Sequence, residues 1–273
     1  MRYFIHLSYD GTNYCGWQVQ LNAATVQQTL NEALHKLLGQ EMRSMGCGRT
    51  DTGVHAKDFY MHFEAEKEIE DRENLLFRLN CVLPNDITVF EIIPLHEKAH
   101  TRFDANERTY EYYVYFDKSP FIKKYAFYQG FYKVDWDKVM DAAEFLKSIE
   151  DFTSLCLPSE DFKTNICHIK ESKWDILPSQ HLILKPFDYP DTCNPLTAGY
   201  KINKGEVLRF TVTSNRFLRG MIRKIVGTTL MVGKGKLELN EFKEIVLAKK
   251  DFRVHYLAPP NGLFLSKVRY PYL

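Results

Sequence analysis

Strand and helix patterns follow one another in a similar order twice along this chain, and that repetition restricts its fold more than any other feature. Residues 2–9 alternate and are rich in aromatics, which makes a strand. Thr25-Val26-Gln27-Gln28 has the form of a capping box. It opens a helix with Val26, Leu30, Ala33, Leu34, Leu37 and Leu38 on one side, and Gly39 follows its end. Strands over 42–47 and 59–65 flank a loop, a helix over 74–81 stops before Pro84, and 87–93 is a strand. The order β-α-β-β-α-β is the ferredoxin-like arrangement.

The second part repeats it with longer connections. Strands are expected over 108–116, 167–177, 207–213 and 263–270, and helices over 136–149, 216–232 and 240–249. The fold class expected is α+β, with two ferredoxin- or RRM-like halves whose antiparallel sheets join around a central active-site cleft. The halves are 1–105 and 106–273, with no Pro/Gly/Ser-rich linker between them. The stretch 178–205, rich in Pro, Asp and Asn, reads as an elaborated loop.

Composition narrows the class. A chain of 273 residues hides roughly three quarters of its unfolded surface, so neither disulfides nor metal are needed to hold a core. Its six cysteines are scattered without a C-x-x-C pair, and the opening residues go straight into alternation without a signal-peptide pattern. No apolar run reaches the length of a membrane span. A cytoplasmic protein is expected.

The formal charge of +1 hides an uneven distribution. Residues 1–105 hold 10 Lys+Arg and 15 Asp+Glu, whereas 106–273 hold 26 and 20. The stretch 215–236 carries Arg216, Arg219, Arg223, Lys224, Lys234 and Lys236 and no acid. Phosphates respond to such local fields, whatever the total. On a helix, Arg216, Arg219 and Arg223 share one face, opposite Leu218, Met221, Ile222, Ile225 and Thr229. That pattern fits either arginines turned toward a cleft or an ordinary amphipathic helix.

The residues that carry chemistry are Gly48-Arg49-Thr50-Asp51-Thr52-Gly53-Val54-His55-Ala56. Small turn-forming residues surround one acid, with an arginine two places before it. Loops between strands are where reactive groups are held by a rigid sheet. Asp51 is either a nucleophile or base there, or the anchor of an Asx turn with Arg49 at the surface. Three other motifs fail. His96-Glu97-Lys98-Ala99-His100 fits H-E-x-x-H, but Pro94 and Arg102-Phe103-Asp104 leave no room for the helix that pattern requires. Asp51-Thr52-Gly53 equals the aspartic-protease triplet but has no second copy. The Gly-Lys after Gly227 has the wrong spacing for a P-loop.

The loop resembles the signature of the TruA tRNA pseudouridine synthases, and the resemblance extends along the chain. Tyr9-Asp10-Gly11-Thr12-Asn13-Tyr14-Cys15-Gly16-Trp17-Gln18 is similar to the family's opening, and Thr25-Val26-Gln27 to the start of its first helix. Leu83-Pro84-Asn85-Asp86-Ile87, Arg102-Phe103-Asp104-Ala105 and Arg108-Thr109-Tyr110-Glu111-Tyr112 follow in the family's order. Phe217-Leu218-Arg219-Gly220-Met221-Ile222-Arg223-Lys224-Ile225-Val226-Gly227-Thr228 resembles its late helix, and Gly262-Leu263-Phe264-Leu265 its final strand. Residues 151–156, 178–205 and 258–261 depart from the pattern.

The resemblance implies isomerisation of uridines 38, 39 and 40 in the tRNA anticodon stem-loop, with Asp51 as nucleophile. Tyr110 is expected to pack against the target base, Leu263 to line its pocket, Arg223 to pair with the aspartate, and Arg49 to help displace the base. Arg216, Arg219 and Lys224 are expected on the RNA backbone. No cofactor and no metal are expected; the partners are tRNA and a second copy of the chain in a homodimer. The competing reading is a non-catalytic RNA-binding protein built from the same paired halves. The RNP1 pattern of standard sheet-face RNA binders is absent.

Overall fold

The computed structural model describes residues 1–130, 132–159, 164–178, 194–197, 199, 201–203, 205–253 and 256–273. Most of the 178–205 stretch therefore lies outside the described residues. The chain divides into two compact units, Met1–Arg108 with Phe264–Leu273, and Thr109–Leu263. Both mix helices with strands that pair mainly antiparallel.

In the first unit, β1 (Arg2–Tyr9) lies between β3 (His55–Glu64) and β4 (Ile87–Leu95), antiparallel to both. The short β2 (Ser44–Gly46) pairs antiparallel with the far end of β3. The last strand, β10 (Leu263–Arg269), enters this unit at Phe264 and runs parallel to the start of β3, with Phe264 opposite His55 and Leu265 opposite Ala56. Tyr3, Ile5, Leu7, Phe59, Met61 and Phe63 alternate along β1 and β3 and are buried. Helix α1 (Val26–Leu38) starts and stops where its local chemistry dictates. The Thr25 hydroxyl accepts from the Gln28 N–H, and Gly39 adopts the left-handed C-cap. Helix α2 (Arg72–Val82) is capped by Asp71. The Asn80 side chain bonds both the N–H and the carbonyl of Val89, each at 2.9 Å, beside an irregularity in the pairing of β1 with β4.

Strand β3 begins four residues before the expected start at 59. His55, Ala56, Lys57 and Asp58 show no apolar alternation, and tertiary pairing draws them into the ladder: Ala56 is opposite Tyr9.

The second unit takes in most of β5 (Glu107–Tyr115) and pairs it with β9 (Glu206–Ser214), then β7 (Ile169–Pro178), then β8 (Asn194–Pro195); the short β6 (Phe127–Tyr128) runs parallel to β5. Helix α3 (Trp136–Phe145) and helix α4 (Met221–Gly233) carry the core of this unit, where Trp136, Trp174 and Phe210 form one aromatic cluster. Helix α5 (Leu239–Leu247) adds Phe242, which meets Phe145 and Phe252.

The late basic helix differs from its sequence reading. It starts at Met221, not at 216, and Gly220 before it is left-handed at φ 63°. A residue with left-handed φ cannot continue a right-handed α-helix, so the helical run does not extend back through Gly220. Arg216 and Arg219 therefore lie in the segment between β9 and α4 and do not form one helical face with Arg223.

Candidate active site

The catalytic loop candidate is the connection from β2 to β3. The Cys47 N–H donates to the Tyr60 carbonyl at 2.7 Å, and the chain then crosses Gly48–Val54 before entering β3 at His55. A turn closes on Asp51, whose carbonyl accepts the Val54 N–H at 3.1 Å. Asp51 is half-buried, Arg49 exposed and Thr50 buried.

A second loop, Asp10–Trp17, holds the first in place. The Trp17 N–H donates to the Thr50 carbonyl at 3.3 Å, and the Gly53 N–H to the Tyr14 carbonyl at 3.2 Å. The two bonds flank Asp51 in sequence. The Tyr9 hydroxyl meets Thr50 Oγ1 at 2.9 Å in a buried setting. The approach is close because Gly16 has φ +83° and no side chain: a Cβ there would stand 2.3 Å from the Thr50 carbonyl oxygen.

A charged contact joins the same loops. Asp10 Oδ1 lies 2.9 Å from Nδ1 of His55, and the Gly11 N–H points at the same nitrogen from 3.1 Å. An anionic oxygen that close to a bare lone pair is repulsive, so we assign the proton to Nδ1, donating to Asp10, which leaves no lone pair there for the Gly11 N–H. Burial alone would raise the Asp10 carboxyl, but hydrogen bonds from His55 and Thr12 outweigh it and hold the group well below the usual carboxylate range. The His55 ring stacks on Phe264 at 4.5 Å. Asp10 and His55 both lie within the family-like sequence blocks, yet sequence reasoning assigns neither a role; their contact spans two distant segments and leaves no local signal.

Cys47, the thiol at the start of this loop, is disabled as a nucleophile. Burial pushes the Cys47 thiol up to about 12, despite the nearby Arg108 guanidinium, and a thiol that high carries negligible thiolate near neutrality. Arg108 is itself committed to backbone carbonyls, reaching Cys47 at 2.8 Å and Arg102 at 2.7 Å. Residues His96–His100 form a turn and not a helix: the Ala99 N–H bonds the His96 carbonyl, and His100 Nδ1 accepts the Arg102 N–H.

The remaining expected site residues belong to the second unit. Tyr110 on β5 is buried, with its ring edge-on to Phe217 at 5.1 Å. Two residues along the strand, the Tyr112 hydroxyl donates to the Pro259 carbonyl at 2.8 Å. Arg223, in the first turn of α4, is half-buried; its Nε donates to the Ala258 carbonyl at 2.8 Å, and its own carbonyl accepts the Ala258 N–H at 3.0 Å. This exchange fixes segment 258–259 against α4. Leu263 is buried where β10 begins.

Arg219 is exposed, and its carbonyl accepts the Leu157 N–H. Arg216 is half-buried; its charge tempers the rise that burial imposes on the Cys167 thiol, which still reaches about 12. Lys224 corrects its expected role. It is 2% exposed, and its ammonium is turned inward onto the Cys156 carbonyl at 3.0 Å, so it cannot reach a phosphate backbone from this position.

A family profile described as tRNA pseudouridine synthase matches residues 143–271. Over 270 residues the chain is 39% identical to the tRNA pseudouridine synthase A of Bacteroides thetaiotaomicron, a match covering 99% of this chain and 91% of the relative. The chain belongs to the tRNA pseudouridine synthase A family. The family member from Parabacteroides distasonis is 38% identical over 99% of this chain and 96% of its own length, and that from Thermodesulfovibrio yellowstonii 33% identical over 97% of both. The protein is accordingly an isomerase, a tRNA-modifying enzyme of this family. No helix among the described residues is long and apolar enough to cross a membrane.

Proposed function

We propose that this enzyme isomerises uridines 38, 39 and 40 of the tRNA anticodon stem-loop to pseudouridine, with Asp51 as nucleophile. The observation that carries the proposal is the setting of Asp51: a carboxylate at a tight turn, partly open to solvent, with backbone hydrogen bonds to a second loop on both sides of it. A group held in that way loses little freedom when it reacts.

The chemistry balances within one substrate. The bond from C1′ to N1 of uracil breaks, the base turns, and a bond from C1′ to C5 forms. The C5 proton is lost and N1 gains one, so no redox partner or second substrate enters. Carboxylates serve as covalent catalysts at glycosidic carbon. The base must leave its stack first, at a cost of about a few kcal/mol. Arg49, exposed two residues before Asp51, is the proposed cation that takes the vacated place. Tyr110, Leu263 and Arg223 are proposed to receive the target uridine, and Arg216 and Arg219 to contact the RNA backbone. The buried Lys224 leaves that set.

A cytoplasmic homodimer is the proposed working form. We read both halves as ferredoxin-like; in the first unit the neighbour order β4-β1-β3-β2 and the helices between those strands support that reading.

The test is direct. Unmodified tRNA transcripts carrying uridine at 38, 39 or 40 are incubated with wild type and with Asp51→Ala, and pseudouridine is mapped at each position. Wild type should modify these positions and the variant none. An Asp51→Ala enzyme with full activity removes the nucleophile assignment, and a wild type that binds tRNA without modifying it leaves the non-catalytic RNA-binding reading.

A further inference from the structure

The backbone ladder between β1 and β3 ends at the pair Tyr9–Ala56. Immediately beyond it the two strands open into the loops that hold Asp51. The next rung outward is made of side chains: Asp10 Oδ1 to His55 Nδ1 at 2.9 Å. His55 is also held by packing: it is 1% exposed and its ring lies on Phe264. Asp10 is fixed as well, since the Thr12 N–H and hydroxyl both donate to the same carboxylate oxygen, at 2.9 and 2.5 Å.

From this geometry we infer that Asp10 and His55 are a pair of positioning residues for the reaction, a charge-assisted clasp that sets the angle at which the Gly48–Val54 loop presents Asp51. The inference rests on the reading of Asp51 as nucleophile. Neither residue needs to touch the substrate. The ladder between the strands has ended at this point, and the loops face each other through two backbone bonds with the side-chain clasp beside them. The bonds Trp17 to Thr50 and Gly53 to Tyr14 then form across a gap whose width the clasp sets. Charge-assisted hydrogen bonds are shorter and stronger than neutral ones. A displacement of about 1 Å at a reacting group costs up to about a hundredfold in rate.

The pair is tested with Asp10→Ala, Asp10→Asn, His55→Ala, the Asp10→Ala/His55→Ala double variant and Asp51→Ala. Each is measured for tRNA affinity, for single-turnover pseudouridine formation at saturating enzyme, and for thermal midpoint. We expect Asp10→Ala and His55→Ala to lose about tenfold or more in single-turnover rate, with tRNA affinity within about twofold of wild type. The double variant should cost no more than the worse single variant, because both break one contact. Asp10→Asn keeps an acceptor for His55 and should recover part of the rate. If the alanine variants do not fold, the Asn variant carries the test. A folded Asp10→Asn enzyme with rate below wild type and unchanged affinity supports the clasp. Wild-type rates in the folded variants, additive losses in the double variant, or losses confined to affinity overturn it. Asp51→Ala separates the two readings: activity in that variant removes the nucleophile itself, whereas an inactive Asp51→Ala beside fully active clasp variants removes only the clasp.

Discussion

Tyr9 and Thr50 share a buried hydroxyl–hydroxyl hydrogen bond of 2.9 Å, which joins the last residue of the first strand to the residue just before Asp51. Thr50 therefore serves its loop twice, through its hydroxyl to Tyr9 and through its carbonyl to the Trp17 N–H. Tyr9→Phe keeps the ring in the core and removes the hydroxyl from Thr50. Losing one buried partner of this kind costs about 1 kcal/mol. The urea midpoint should fall with an unchanged slope, and pseudouridine formation should drop more than tRNA affinity.

Gly16 lies at a close approach between the two loops. Its φ is +83°, and a Cβ at this position would stand 2.3 Å from the Thr50 carbonyl oxygen, which leaves no room for any side chain. Gly16→Ala should destabilise by about 2–3 kcal/mol, the range for a strained backbone combined with a steric clash. Thermal unfolding checks this. If the variant retains the wild-type midpoint, the loops do not meet as described.

His62 gives the first unit an acid-sensitive point. Its ring is buried on β3, with Nδ1 at 2.7 Å from Thr101 Oγ1 and near Arg2 and His100. Burial first, then the Arg2 guanidinium and the neighbouring His100, drive its pKa down to about 4. The unfolded chain, at about 6.5, takes up a proton before the folded one does. The contribution is complete above pH 6.5, diminishes as pH falls toward 4, and amounts to on the order of 2–3 kcal/mol across that window. His62→Gln should flatten the difference in stability between pH 6.5 and pH 4 relative to wild type, measured by urea unfolding.

How much of this is legible in the sequence depends on whether the cause is local. Helix α1 is readable at both ends because Thr25 and Gly39 act on their immediate neighbours. The start of α4 is not, because Arg216, Arg219 and Arg223 carry helical spacing, while the left-handed Gly220 that interrupts it is a single residue with no periodic signature. Asp51 stands out through its flanking glycines. The clasp between Asp10 and His55 does not, because only the closing of β1 on β3 brings them together. Lys224 sits in a basic run, and nothing in its spacing tells that its ammonium turns inward to Cys156.

The contrast between Lys224 and Arg219 yields a sharp prediction about RNA binding. The two residues lie five apart in one basic run and carry the same charge. Arg219 is exposed, whereas Lys224 is 2% exposed and bonded to the Cys156 carbonyl. A cation that neutralises a phosphate releases a counterion, so its loss reduces the slope of log affinity against log salt by just under about one unit. Arg219→Ala should lower the slope by that amount and leave the thermal midpoint unchanged. Lys224→Met should do the reverse. The salt slope stays at the wild-type value, while stability falls by about 1–2 kcal/mol because the Cys156 carbonyl loses its donor. Titrating anticodon stem-loop RNA across a salt series with both variants decides the matter: a reduced slope in Lys224→Met would put its ammonium on the RNA after all.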